Sequence, residues 1–536
     1  MKSQFYLAFL LIFSILSLSA TNYYSDPTTA GKMTNTGSAA SSWGSLNAIF
    51  AAGKTFVAGD TIFLKTGNHG YATIKGANTG FVVITAAPGH SPTVERMRIG
   101  NGTNQTDYWK LENLTVQSES TLMGSETGIW LIDIYPKSTH ITISNCIICS
   151  SNNTTDWTRD DWRTRCNSGI SSRFGLNAFH IIENNEIRNT ALGIEIGASN
   201  STVRNNLVQN FTHDASRILG SNIVFEQNKL FDLIKVMMYN ENHDDMLQAF
   251  TTPTYNLGTD TLKNVTVRNN IFINTTDTTR SFRGAAQGIG LFNGPYFNWN
   301  IENNIVMNDH WHGITISGGA NCKIINNTVL DPYISTPIDP FDLNDPTTGP
   351  NWIKVDSLTG CPSSGNLIIN NLVAKSIVVA YPKLASSSHN IIMGGTMANY
   401  AQFFKDVSNP AFPLNFDLRL KPGSSAINAG ITLDAPPTDF DNVSRPQGSS
   451  TDVGAYEYKI ETGIFNSLDT KSERPTIKQT VAGISIQLPS KSDVEIYAVN
   501  GVLIDKSIAT TTYSHVLPKG IYLLKINQHR IKFIKK

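Results

Sequence analysis

The sequence predicts an all-β protein: a right-handed parallel β-helix followed by a small C-terminal β-sandwich. Three observations predict it. A short alternating phrase recurs at a spacing near 22 residues, turn-forming residues are abundant, and residues 459–536 abandon the repeat. Only 16% of residues are charged, below the roughly 25% of an average domain. Asn, Thr, Ser and Gly take up the difference, which suits short strands and many turns. The 42 basic and 42 acidic residues cancel. No basic run grips phosphates, so nucleic acid is not an expected partner.

Residues 1–20, MKSQFYLAFLLIFSILSLSA, read as a signal peptide. Lys2 supplies the positive end, Phe5 to Leu18 the apolar stretch, and Ser19 with Ala20 the small cleavage site. The apolar stretch is short for a membrane span. No Cys follows the cut to carry a lipid. Five cysteines, Cys146, Cys149, Cys166, Cys322 and Cys361, give an odd count with no zinc-like spacing. They are expected to be buried free thiols.

The repeat phrase reads ITISNCII, HIIENNEI, STVRNNLV, NIVFEQNKL, NVTVRNNIF, NWNIENNIV, NCKIINNTV and NLIINNLV. Its last Asn falls at Asn145, Asn185, Asn206, Asn228, Asn270, Asn304, Asn327 and Asn371. Three gaps are close to 22, three are near twice that, and one is a rung with an insertion. A coil of this length cannot bury its own apolar residues; a stack of coils can. Asn at a fixed turn tolerates left-handed backbone. Stacked Asn side chains can bond along the coil, which explains the many Asn-x-Thr sequences better than glycosylation does. A second strand phrase follows the turn: GIEI (193–196), GIGL (288–291) and GITI (313–316), with DASRIL (214–219) and DDMLQAF (244–250) in the same slot. Upstream, GDTIFL, a Gly-rich turn and ITAAPG resemble the opening rungs of many secreted β-helix proteins. The β-helix is assigned to residues 21–405.

Residues 406–458 carry NFDLRLKPGSSAINAG and DFDNVSRPQGSSTDVGAYEY. They resemble the closing segment of many bacterial β-helices, through Asp439, Asp441, Arg445, Asp452 and Glu457. These residues are read as a cap over the edge of the last rung. A polar linker, KIETGIFNSLDTKSERP, then leads to ISIQLPSKSDVEIYAVNGVLI, LPKGIYLLKI and RIKFIKK. VNG is a hairpin signal. The stretch resembles the β-sandwich sorting domain of the type IX secretion system. The resemblance implies a Gram-negative bacterium, the type IX machinery as a partner, and release or attachment at the cell surface. A monomer is expected.

Placing the second-strand phrases in register puts Glu195, Arg217, Gln248, Gly290 and Thr315 in one outward row. The turn before it holds Asp214, Asp245 and His312, with His213, His243, Asp244 and His310 beside them. This is the densest ionisable cluster of the repeat region.

THDASR followed by HDDMLQ resembles the calcium site of pectate lyases that use several aspartates. The resemblance implies Ca²⁺ on Asp214, Asp244 and Asp245, since hard oxygen ligands suit it. Gln248 stands where that family has an acid, and Gly290 where it has its Lys base. THD, HDD and WHGITIS also resemble polygalacturonase-type hydrolases, at Asp214, Asp244, Asp245, His312 and Gly313. There an extra rung intervenes, and the following Arg-x-Lys is absent.

The first expectation is an extracellular polysaccharide lyase acting on a uronic-acid-containing glycan. Glu195, Arg217, His243, Gln248 and Thr315 would bind substrate, with His312, Arg283 or Lys235 as base; His312 has the best register. The alternative is a glycoside hydrolase, with Asp214 and Asp244 or Asp245 as its carboxylates. A third reading is a non-catalytic glycan-binding surface protein. Trp299, Trp311, Tyr239 and Phe292 are candidates to stack on sugars.

Overall fold

The computed structural model describes residues 20–29, 32–119, 129–172, 178–238, 243–251, 261–333, 348–459, 476–479, 483–498, 502–526 and 529–535. The signal peptide before Ala20, Tyr239, nearly all of the linker and the VNG turn lie outside them. The chain divides into two units, Met1–Tyr458 and Lys459–Lys536.

Among the described residues of the first unit, three long parallel sheets hold 13, 11 and 12 strands. The first sheet runs from Asn22–Ser25 to Ala385–Ser388, the second from Tyr71–Ile74 to Ser376–Val379, and the third from Gly67–Asn68 to Ile391–Ile392. Each rung gives one short strand to each sheet, because alternate residues of a strand face opposite sides. Inward residues stack in columns. One column runs Ile62, Ile84, Leu111, Ile143, Ile182, Val203, Phe225, Val267, Ile301, Ile324 and Ile368, in unbroken register. All are fully buried. Burial of each such side chain stabilises the stack by about 1.5–3 kcal/mol.

The Asn turn divides its work between two adjacent positions. The first residue of the pair takes the left-handed backbone: Asn184, Asn205, Gln227, Asn269, Asn303, Asn326 and Asn370 have φ of 53–58°. The second forms the ladder. Asn185 Nδ2 donates to Asn206 Oδ1, and the chain continues through Asn228, Asn270, Asn304, Asn327, Asn371 and Asn390 at 2.9–3.1 Å. Each Oδ1 also accepts the backbone N–H of the preceding ladder residue. Asn145 is not a rung of this ladder. It is the left-handed residue, at φ 54°, and Cys146 holds the ladder place, its N–H donating to Asn185 Oδ1.

The long gaps are also corrected: those near twice the period are single rungs with insertions. Strand Ser138–Ser144 pairs directly with Ile181–Glu183, Val224–Glu226 with Thr266–Arg268, and Lys323–Ile325 with Asn366–Ile369. The ladder requires neighbouring Asn side chains to touch, so extra chain loops outward instead of adding a coil.

Residues 406–458 do not act as a simple lid on the last rung. They pack along the third sheet. Phe404, Leu418, Leu420, Val453 and Tyr456 cover Phe231, Ile273, Ile305, Met307, Leu330 and Leu372. Arg445 and Glu457 form a fully buried pair at 2.6 Å, and Arg445 also donates to Asn303 Oδ1. Asp439 and Asp452 accept backbone N–H groups. Arg445 joins the segment to the rungs at Asn303, and the two aspartates brace the segment itself. Cys146, Cys149, Cys166 and Cys322 are free and buried, while Cys361 is free and half-buried. Burial pushes the Cys146 thiol up to about 12.

The second unit is a five-stranded antiparallel sheet built on the long strand Gly483–Ala498. Ile484, Ile486, Leu488, Val494, Ile496, Tyr522 and Leu524 form its core.

Asn270→Ala removes a ladder rung and leaves buried groups on Asn228 and Asn304 unmatched. It is expected to cost about 2–4 kcal/mol, read from the denaturation midpoint of the first unit. Asn269→Gly, one residue earlier, keeps the left-handed backbone available and is expected to cost under about 1 kcal/mol.

Candidate functional site

The second sheet holds the polar cluster. Register pairs Ser171 with Glu195, Glu195 with Arg217, Arg217 with Gln248, Gln248 with Gly290, Gly290 with Thr315, and Thr315 with Lys354. The five residues expected in one row therefore share one row, and Lys354 extends it. A second row lies three residues earlier on each strand, or two at Trp352, where the pairing bulges. Asp245 pairs with Gln287, and His312 with Trp352. Asp214 joins Asp245 directly, its Oδ1 accepting the Asp245 N–H at 2.9 Å.

Charges in this cluster are matched internally. Arg217 Nε donates to Asp214 Oδ2 at 2.6 Å, and its guanidinium lies 3.9 Å from Glu195. Glu195 accepts the Ser171 hydroxyl at 3.1 Å. Lys235 Nζ donates to Asp244 Oδ2 at 2.8 Å, both side chains being buried. Gln248 Nε2 donates to Asp245 Oδ2 at 2.9 Å.

Asp245 Oδ1 differs: it is buried and has no hydrogen-bond partner among the described residues. It leans over bare backbone. A Cβ on Gly290 would come 2.4 Å from Asp245 Oδ1 and 2.4 Å from the Phe292 ring. Gly290 is therefore required by the carboxyl above it.

Burial holds the Asp245 carboxyl well above the usual range, and the charges of Asp214 and Asp244 add to this. Burial raises Asp214 as well, but Arg217 and the Asp245 N–H act against it. Of this coupled pair Asp245 is the harder carboxyl to ionise and Asp214, beside Arg217, the easier. Oδ2 of Asp245 already accepts from Gln248, so Oδ1 is the oxygen open to a proton.

His312 sits at the other end of the cluster. Its Nδ1 lies 2.7 Å from Thr315 Oγ1 and accepts from Trp352 Nε1 at 3.3 Å. An indole N–H only donates, so Nδ1 carries no proton and Nε2 carries it. Burial, then the charge of Lys354, lowers His312 to about 4. His310 and His213 are also pushed down by burial, His213 to about 4. His243 is exposed beside them, and its charge acts on both His310 and His312.

Several expected roles change on this geometry. His312 does not fit a general base: its accepting nitrogen faces Thr315 and Trp352, and its outer nitrogen already holds a proton. Lys235 does not fit either, being buried and ion-paired with Asp244. Arg283 is buried at 8% exposure in the turn before strand Gln287–Asn293, and makes no hydrogen bond or ion pair among the described residues. Thr315 is buried at 2% exposure, and its hydroxyl lies 2.7 Å from His312 Nδ1, which it orients. Trp299 is a core residue whose Nε1 donates to Leu262 O at 3.0 Å. Phe292 packs edge-on against His312, and Trp311 against Trp352.

The carboxylates do not fit a calcium ion, which takes six to eight oxygen ligands. Asp214 is already ion-paired with Arg217, and Asp244 with Lys235. Among the described residues no three His, Cys, Asp or Glu side chains are grouped to hold a metal.

Gln287, Trp352 and Lys354 were not expected here. Gln287 stands three residues before Gly290, the same offset that Asp245 has from Gln248, so the signal for it was present. Trp352 and Lys354 are separated from their Asn phrase, NCKIINNTV, by a long insertion.

Residues 150–329 match the family described as Right handed beta helix region. No curated protein matches the chain. Among solved structures, it is similar to the pectate lyase Pel9A, at 16% identity and TM-score 0.41, over 83% of this chain and 98% of that one. It is also similar to XylC in complex with xylose, at 11% identity and TM-score 0.41, over 96% and 100%. A third is DFA-IIIase from Arthrobacter chlorophenolicus A6, at 12% identity and TM-score 0.40, over 70% and 95%.

The raised Asp245 carboxyl sets a sign for stability. Its folded pKa lies above its unfolded value, near 3.9. Its favourable contribution is therefore complete below that value and is lost as pH rises towards the folded pKa. Between pH 5 and 7 the wild type is expected to lose stability faster than Asp245→Asn, by up to about 1.4 kcal/mol per pH unit. Denaturant melts across that range check it; parallel pH slopes would contradict the protonated Asp245.

Proposed function

We propose that the chain is an extracellular polysaccharide-degrading enzyme that binds an acidic glycan along the outward row of the second sheet and hydrolyses it, with Asp245 as the proton donor. One observation carries this reading: the unpartnered Oδ1 of the buried Asp245 carboxyl beside Gly290, where the row lacks a side chain; burial, with the charges of Asp214 and Asp244, favours its protonated form.

Hydrolysis of a glycosidic bond needs an acid to protonate the leaving oxygen and a second carboxylate nearby. Asp245 is the acid. Asp214, ionised against Arg217, is the second carboxylate. Gln248 orients the acid by holding its other oxygen. Arg217, 22% exposed, holds Asp214 in place by its ion pair. His312 offers an Nε2–H to a sugar hydroxyl.

Elimination is less well served. A lyase must remove a carbon-bound proton with a free base, and neither Lys235 nor His312 presents one. Residues 1–20 and the resemblance of residues 459–536 support delivery outside a Gram-negative cell by the type IX route.

A panel of acidic and neutral polysaccharides tests the reading. The wild type is expected to release new reducing ends, to form no ultraviolet-absorbing unsaturated sugar, and to keep its rate in chelator. Asp245→Asn is expected to lower turnover by about 10²–10⁴-fold. Unsaturated products that vanish with chelator would overturn it in favour of a calcium-dependent lyase.

A further inference from the structure

The outward row does not begin at Glu195. Register carries it back through Ser171 and Asp133 to Arg98. The rungs of Arg98 and Asp133 precede the Asn phrases, and neither side chain takes part in the chemistry above.

Arg98 is held between two aromatic rings. Its guanidinium carbon lies 4.6 Å from the Tyr135 ring centroid and 5.7 Å from that of Tyr71. Arg96 also lies over Tyr71, at 5.2 Å, but is used inside the protein. Its Nε donates to Trp130 O at 2.9 Å, and its guanidinium lies 3.6 Å from the buried Asp133 carboxylate. Arg98 has no such role. Among the described residues no hydrogen bond or ion pair reaches its guanidinium, and its buried Nε is unmatched. The Tyr71 hydroxyl beside it is also buried without a partner.

Other cations on the row are neutralised: Arg217 by Asp214 at 2.6 Å and Lys354 by Asp356 at 2.9 Å. A guanidinium gripped by its faces keeps its in-plane N–H edge for a carboxylate or sulfate. The rings restrict its rotamers in advance, so little order is lost on binding. Four rungs, about 19 Å, separate Arg98 from Arg217, a span that an oligosaccharide bridges and a single sugar does not.

We propose that Arg98, clamped by Tyr71 and Tyr135, is a distal subsite that binds an acidic group of a glycan lying along the second-sheet row. The inference rests on the reading of that row as the glycan track, and it makes affinity depend on chain length.

Calorimetric binding to the full chain carrying Asp245→Asn tests it. The ligands are uronic-acid oligosaccharides, sulfated oligosaccharides with a neutral backbone, and uncharged oligosaccharides, each from disaccharide to decasaccharide. Affinity for an acidic series is expected to step up once the ligand can reach Arg98. Arg98→Met, which keeps a stem between the rings, is expected to remove that step, about tenfold or more. Arg98→Lys retains part of it. A step confined to the uronic series identifies carboxylate as the bound group; one confined to the sulfated series identifies sulfate. A step that survives Arg98→Met, with melting temperature unchanged, overturns the subsite. So does an equal step in the uncharged series.

Should Arg98→Met itself lower the melting temperature, Tyr135→Leu is expected to shrink the same step by loosening the clamp, and an unchanged step overturns the subsite. A wild type that cleaves no glycan yet shows an Arg98-dependent step overturns the hydrolase reading and supports the subsite. Cleavage with no step does the reverse.

Discussion

The structure depends on one interaction, the hydrogen bond from each ladder Asn to the next. Slippage by one residue would turn every inward side chain outward, so burial already forbids it. Slippage by two keeps the alternation, because the apolar columns are chemically alike from rung to rung. The Asn amide prevents it by being satisfied in only one register. Its Nδ2 gives to the next Oδ1 and to a carbonyl such as Ile182 O, Val203 O or Phe225 O, while its Oδ1 receives a side-chain and a backbone donor. A buried amide with all its groups matched tolerates no shift, since each unmatched group is costly. Insertions of widely different length therefore leave the rungs aligned. Asn228 and Asn270 are 42 residues apart and still bond at 3.1 Å.

That alignment makes the site. Asp214 and Asp245, 31 residues apart, become hydrogen-bonded neighbours. Gln248 and Gly290 come into register, and so do Gly290 and Thr315. Most polar groups brought together this way neutralise one another, as Lys235 does Asp244. The functional signal lies where that cancellation stops. Asp245 Oδ1 and the Arg98 guanidinium sit on the same sheet, and among the described residues neither has a hydrogen-bond or ion-pair partner. Local satisfaction fails at these places while the surrounding rungs hold them fixed.

The rows were legible in the sequence because the repeat is short and its alternation strict. Glu195, Arg217, Gln248, Gly290 and Thr315 could be aligned by counting alone. The ladder was legible as a column of Asn but displaced at its start, since Asn145 and Cys146 look like one more Asn pair until the backbone shows which residue turns. Insertion lengths misled, because a 42-residue gap is indistinguishable in sequence from two coils. Burial was not legible at all. Lys235 and Thr315 read as available groups, and only packing shows that Asp244 and His312 already use them. Arg98 was missed because its rungs lack the Asn phrase, and the partner rings Tyr71 and Tyr135 lie 64 residues apart.

The most direct test is a crystal structure of the Asp245→Asn protein with a long acidic oligosaccharide bound. The account predicts a chain lying along the second sheet from Arg98 towards Lys354, with one glycosidic oxygen within hydrogen-bond distance of the residue-245 amide above Gly290. A chain seated on the first or third sheet, or one crossing the second sheet with no sugar oxygen near residue 245, would contradict it.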